Sequence, residues 1–360
     1  MQIISGIVLD KYDLRVPAFL AIFMIAIGLF GFTYATALWS MCCCRILMGI
    51  GCSFATTLYM KSATIWTSAK TFAFISSLLA TATMLGAAVG SAPVAVLFHY
   101  VGWKNGLITI AYLGFILSVL AIIFVTKKRQ DTIKTMASLS LIKQVIFNRH
   151  NIWLLFYSGL TFSPIIIIGG LWGVPFLELK FSTSASEVAK LISIMFIGHA
   201  IGSPVWALVS MALGNKKQIM IFANIISIIS LSLIIFANTT YFSAELLFFT
   251  FGFCVGVFML SFDLCRQING VAIIGFAVAY INSGEGIVGS ILEPGIGLVL
   301  DLINPTNTTH FSLSSYQYGL SVLPLCYLVS TFIIYKLPFK HETEVNMDTI
   351  AKTRPIIEGI

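Results

Sequence analysis

The sequence predicts an all-α integral membrane protein, and three observations carry that prediction. Of its 360 residues, 58% are hydrophobic and only 10% charged, whereas a water-soluble domain needs about 25% charged residues to clothe its exterior. The apolar residues gather in ten continuous stretches, each about as long as a helix that crosses the hydrocarbon layer. Lys and Arg fall mainly on one side of the map those stretches draw. Uninterrupted apolar runs argue against a closed barrel, whose strands alternate, and helices are the other structure that satisfies the backbone in lipid. The same composition excludes intrinsic disorder.

The stretches are 16–36, 38–60, 71–98, 105–126, 152–177, 187–213, 218–237, 241–264, 271–300 and 315–337. Residues 1–9 are apolar but too short to cross, and they have neither the basic leader nor the small-residue cleavage site of a signal peptide. The 152–177 stretch contains Pro164, Gly169, Gly170 and Pro175, breakers tolerated at depth where a cavity or a packed neighbour satisfies the freed backbone. Alternate connections lie on alternate sides. One side then holds 17 of the 21 Lys and Arg residues, the other holds Lys104, Lys180 and Lys190, and Arg45 lies within a span. By the positive-inside rule the rich side is cytoplasmic. The longest polar connection divides the chain into an N-terminal helical bundle (1–126), a cytoplasmic loop (127–151), a C-terminal six-helix bundle (152–337) and a cytoplasmic tail (338–360).

The net charge of +7 belongs to these connections, so the lipid bilayer is the expected partner rather than nucleic acid. Seven cysteines show neither CxxC nor Cys/His metal spacing, so no metal and no cofactor is expected, and they read as small buried hydrophobes. HExxH, a GxSxG with a plausible base, and the phosphate-binding GxxxxGK[ST] are all missing from the sequence, which argues against a membrane-embedded enzyme and against ATP-driven transport.

Similar elements stand on either side of the long loop. Residues 6–15 read GIVLDKYDLR, and residues 202–217 read GSPVWALVSMALGNKK. The first resembles the cytoplasmic signature of the major facilitator superfamily of secondary transporters, with Gly6, Asp10, Lys11 and Arg15 matching and Asp13 and Leu14 departing. The second is similar through Gly202, Gly214, Lys216 and Lys217, with Met211 at the acidic position. Arg45, Gly49 and Gly51 match the family's R-x-x-x-G-x-G, and Gly86, Gly90 and Pro93 partly meet its Gly/Pro motif, with Ser91 and Ala92 intervening.

The resemblance implies two helical bundles that rock about a midplane site. Members normally have twelve helices, and the signature here begins at residue 6. The resemblance therefore implies about ten full helices plus an N-terminal stub, without the first helix and most of the second. It also implies a monomer in a bacterial cytoplasmic membrane that moves a small polar solute by alternating access, coupled to protons. Uptake of amino acids or related metabolites is the narrower expectation. The competing readings are a non-transporting remnant and a drug or metabolite efflux antiporter.

Ionisable residues at membrane depth cost about 2.5–3.5 kcal/mol on insertion scales and so invite a functional reading. Arg45 is either a cation facing the path or an inter-helix anchor. Glu285 and Glu293 share a helix, separated by about 12 Å of rise and about 80° of rotation, amid Gly284, Gly286, Gly289, Gly295 and Gly297. Glu285, with Asn282 one turn earlier, is the preferred proton carrier. Glu293, before Pro294, reads equally as a neutral hydrogen-bonding group at a kink. His199 is a proton relay or a donor to a neighbouring helix. Tyr157 and Trp172 are substrate contacts or packing residues, and Asp263 with Arg266 reads as a surface pair at i and i+3.

Overall fold

A computed structural model describes residues 4–5, 8–9, 13–67, 69–125, 139–269, 273–304 and 311–339. Among the described residues all regular structure is helical, and ten segments are long and apolar enough to cross a membrane, in the order the sequence predicts.

The N-terminal half contains α1 (Arg15–Tyr34), α2 (Leu38–Trp66) and α3 (Ala69–Phe124). Helix α3 is two spans joined at Gly102, whose φ of 78° and ψ of 156° lie outside the helical region. Glycine, lacking Cβ, adopts that backbone without strain. The chain turns back so sharply there that the Phe98 ring lies against Gly106. The second limb of α3 packs on α1 through Gly114 against Ala26 and through Phe115 against Phe23, with ring centroids 5.6 Å apart. Gly51 brings α2 onto α1, since a Cβ there would stand 2.7 Å from Ile25 Cγ1.

The C-terminal half comprises α4 (Leu139–Phe147), α5 (Arg149–Gly169), α6 (Gly173–Phe181), α7 (Ala185–Leu213), α8 (Lys216–Phe236), α9 (Tyr241–Val255), a 3-10 turn (Gly256–Met259), α10 (Leu260–Asn269), α11 (Ile274–Ile303), α12 (Leu313–Leu320) and α13 (Val322–Ile334). Several starts carry side-chain caps of the usual kind. Asn148 accepts from His150 N before α5, Asn215 from Gln218 N before α8, and Thr240 from Ser243 N before α9.

Three stretches that read as continuous are broken. The 152–177 stretch parts at residues 170–172, because Pro175 has no N–H to donate back to Leu171 and Gly170 leaves the helical region. The 315–337 stretch parts at Ser321, where Pro324 likewise cannot donate to Leu320. The 241–264 stretch tightens into the 3-10 turn at Gly256, which presses on the Gly202–Ser203 backbone.

Small residues set the closest approaches, as is common where lipid supplies no hydrophobic drive between helices. Gly198 and Gly202 on α7 interlock with Gly252 and Gly256 on α9 and its 3-10 extension. A Cβ at Gly252 would overlap the Met195 carbonyl, and one at Gly202 the Phe253 carbonyl. The two halves meet at the lysine-rich end. There Met60, Ala63 and Phe72 join Phe262, Ile274 and Phe276 in one apolar cluster, and the Arg266 guanidinium lies 4.5 Å over the Phe72 ring. Deeper in, Thr81 Oγ1 donates to Ala200 O at 2.7 Å across the same boundary.

Candidate functional site

Of the polar groups at depth, Glu285 and Ser158 meet at the seam between α5 and α11. Gly159 and Gly284 create that seam: a Cβ at Gly284 would overlap the Leu155 carbonyl, so only glycine permits the approach. The next residue along α11 is thereby brought against α5, and Ser158 Oγ donates to Glu285 Oε1 at 3.3 Å. Asn282 is buried one turn earlier, at 6% exposure. Among the described residues Glu285 has no cation in an ion pair, the pairs being Lys190–Glu187 and Lys216–Asp263.

Further along α11, Glu293 stands beside the break between α5 and α6. Its backbone carbonyl accepts from Trp172 Nε1 at 3.0 Å, and its Oε1 lies 3.7 Å from where a Cβ on Gly170 would stand. The Trp172 indole packs against Gly297, and its ring centroid is 6.4 Å from that of Tyr316. Of the five glycines around the acids, Gly284 makes the close backbone contact, whereas Gly286 and Gly295 face open space.

Arg45 is exposed on α2, its guanidinium 5.0 Å over the Phe32 ring, and it shares that face with exposed Gly49 and Cys52. It forms no ion pair with Glu285. His199 is fully buried, flanked by Phe162 and Phe258 with ring centroids at 5.9 and 5.7 Å. Neither of its ring nitrogens has a hydrogen-bond partner among the described residues, so the donation to a neighbouring helix is not made in this conformation. Tyr157 is fully buried in the core of the C-terminal half.

Gly6, Asp10 and Lys11 of the first signature lie outside the described residues, as do the side-chain surroundings of Gly90 and Pro93. Arg15 opens α1, its backbone N–H donating to Asp13 Oδ1 at 3.5 Å. Gly86 is exposed, and a Cβ added to it would meet open space. Gly214 ends α7 in the left-handed region, at φ 64°, as helix-terminating glycines do. Lys216 pairs with Asp263 at 2.7 Å, the two side chains 14% and 8% exposed. That corrects the expectation of an Asp263–Arg266 surface pair: Asp263 is buried and faces α8, while Arg266 covers Phe72. The carboxylate that faces Lys216 thus comes from α10, while the position expected to be acidic holds Met211. Sequence reasoning missed this pair and the Ser158 partner of Glu285, because neither is local in the chain.

Ten apolar helical segments among the described residues, each long enough to cross a membrane, define a multi-pass membrane protein. The sequence model of the Major Facilitator Superfamily matches residues 1–294, and the chain belongs to that superfamily. The fold is similar to two crystal structures. One is a variant of the E. coli fucose:proton symporter FucP, at a TM-score of 0.67 and 14% identity, covering 93% of this chain and 86% of that one. The other is FucP in the outward conformation, at 0.65 and 13%, covering 93% and 85%. A search of the curated proteins returned no match.

Proposed function

We propose that this transporter couples movement of a small polar solute to protons, with Glu285 carrying the proton and alternating access provided by the two halves. The observation that carries this reading is the Ser158–Glu285 contact across the α5–α11 seam. Charge at membrane depth is expensive, and a proton on Glu285 neutralises it. The loaded and unloaded seams therefore differ in how they close, which links proton occupancy to helix movement. The relative of the same fold named a fucose:proton symporter supports this coupling. Arg45, exposed and without a carboxylate partner among the described residues, is the contact for an anionic group on the solute. Amino acids and related metabolites are the narrower substrate class, and the lysine-rich end, with the C-terminal tail, faces the cytoplasm of a bacterial inner membrane.

The test is uptake into proteoliposomes under an imposed pH gradient, with a panel of amino acids and sugars and a proton uncoupler. The expected result is gradient-driven accumulation of one class that the uncoupler abolishes. Glu285→Gln lowers that accumulation by about tenfold and retains solute exchange at equal pH. Proton dependence unchanged in Glu285→Gln removes this residue from the mechanism.

A further inference from the structure

A cavity of about 480 Å³ opens at the lysine-rich end of the C-terminal half, where α8 begins, α10 ends and the chain leaves α13. We propose that it binds the phosphate headgroup of an anionic glycerophospholipid.

The polar lining comprises Asn215, Lys216, Lys217, Gln218 and Gln267, and among the described residues no Asp or Glu lines the cavity. Lys216 is committed to Asp263, whose Oδ2 also accepts from Gln267 Nε2 at 3.2 Å. Lys217 pairs with no carboxylate among the described residues. Its ammonium instead lies 4.5 Å over the ring of Tyr335, which forms part of the same lining. The described lining therefore carries net positive charge. The cavity faces the first turn of the 21-residue helix α8, whose N-terminal end adds a positive partial charge.

The apolar part of the lining selects between a soluble phosphate ester and a lipid. Ile221, Leu337 and Phe339 belong to it, and Ile221 lies in the membrane-crossing part of α8. An amphiphile satisfies both parts of the lining, phosphate against Lys217 and acyl chains along Ile221, whereas a soluble ester leaves the apolar part uncovered. Basic pockets between helices at the membrane boundary are where such headgroups are held, each lysine near the surface contributing about fivefold in affinity.

The experiment uses the full chain in nanodiscs containing phosphatidylglycerol and phosphatidylcholine of matched acyl chains. Native mass spectrometry reads the lipid retained, and a thermal melt reads the stabilisation. Phosphatidylglycerol is expected to be retained over phosphatidylcholine by about fivefold or more. Lys217→Gln should remove that preference and Lys217→Arg should keep it. Ile221→Glu, which sets a negative charge on the apolar lining, should remove it as well and carries the test if Lys217→Gln does not fold. Equal retention of the two lipids, or a preference unchanged in these variants, overturns the proposal. Displacement of phosphatidylglycerol by glycerol 3-phosphate assigns the cavity to free phosphate esters and overturns the lipid assignment.

Discussion

The two halves of the molecule solve the same packing problem differently. In the C-terminal half five of six spans are at least 50% buried, while no span of the N-terminal half exceeds 33%. The N-terminal half instead turns large apolar side chains outward, among them Leu113, Ile116, Ile123 and Phe124 on the second limb of α3. In water that would be a defect. In lipid it carries no penalty, because the surroundings are as apolar as the side chains. Close glycine contacts occur in both halves, at Gly51 and Gly114 as at Gly202 and Gly252, so what sets the C-terminal half apart is its set of buried hydrogen bonds rather than greasiness, which both halves share. Asn224 donates to Ser330 at 2.9 Å, Tyr327 donates to Thr161 O at 2.6 Å, and Asn151 and Asn269 exchange amide hydrogen bonds at 2.7 and 2.8 Å. Helix α11 is the exception within that half, its most apolar 18-residue stretch being only 22% buried, and it is the helix that carries Glu285 and Glu293.

The largest expected effect comes from adding a side chain at a packed glycine of the C-terminal half and at an open one of the N-terminal half. Gly252→Val drives a Cβ into the Met195 backbone and should cost about 3 kcal/mol or abolish the folded protein. Gly86→Val in the N-terminal half meets open space and should leave the melting temperature within error. Fluorescence-detected size exclusion with a thermal ramp measures both, and equal losses at the two positions would dissolve the contrast. Next in size is α11: Glu285→Gln should lower gradient-driven uptake by about tenfold, or about 1.4 kcal/mol, and Glu293→Gln by less than about twofold. Reversed ranks in the same vesicles would move the proton to the neighbourhood of Trp172. Tyr327→Phe deletes a buried hydrogen bond and should destabilise by about 1 kcal/mol, read from the same thermal ramp. Smallest of all, Ile123→Ala on the outward face of α3 should shift stability by less than about 0.5 kcal/mol, and a loss comparable to that of Tyr327→Phe would mean that this face is covered rather than lipid-facing.

The spans were legible because the bilayer fixes a length and a polarity that single residues report directly. The loop at Gly102 was legible too, since Gly102, Trp103 and Lys104 interrupt an otherwise unbroken apolar run. The breakers Gly169, Gly170 and Pro175 marked the 152–177 stretch, whereas the breaks at Gly256 and Ser321 escaped, because the stretches stay apolar across them. Of these two, only Ser321 has a proline nearby, Pro324, which removes one donor. The interlock of α7 with α9 was written in the chain as a glycine pair four apart on each helix, a pattern that asks to be read across two segments at once. At the site, Glu285 and Asn282 were identifiable as polar groups at depth. Ser158 was not, nor was Asp263 as the partner of Lys216, because those contacts exist only after distant helices have chosen their neighbours.

Gly102 joins two membrane crossings with no slack between them. One residue's torsions are the whole joint, so Gly102 alone sets the angle between the limb that holds Thr81 against Ala200 and the limb braced on α1. A flexible tether spliced in at that corner would release that angle while leaving each helix in place.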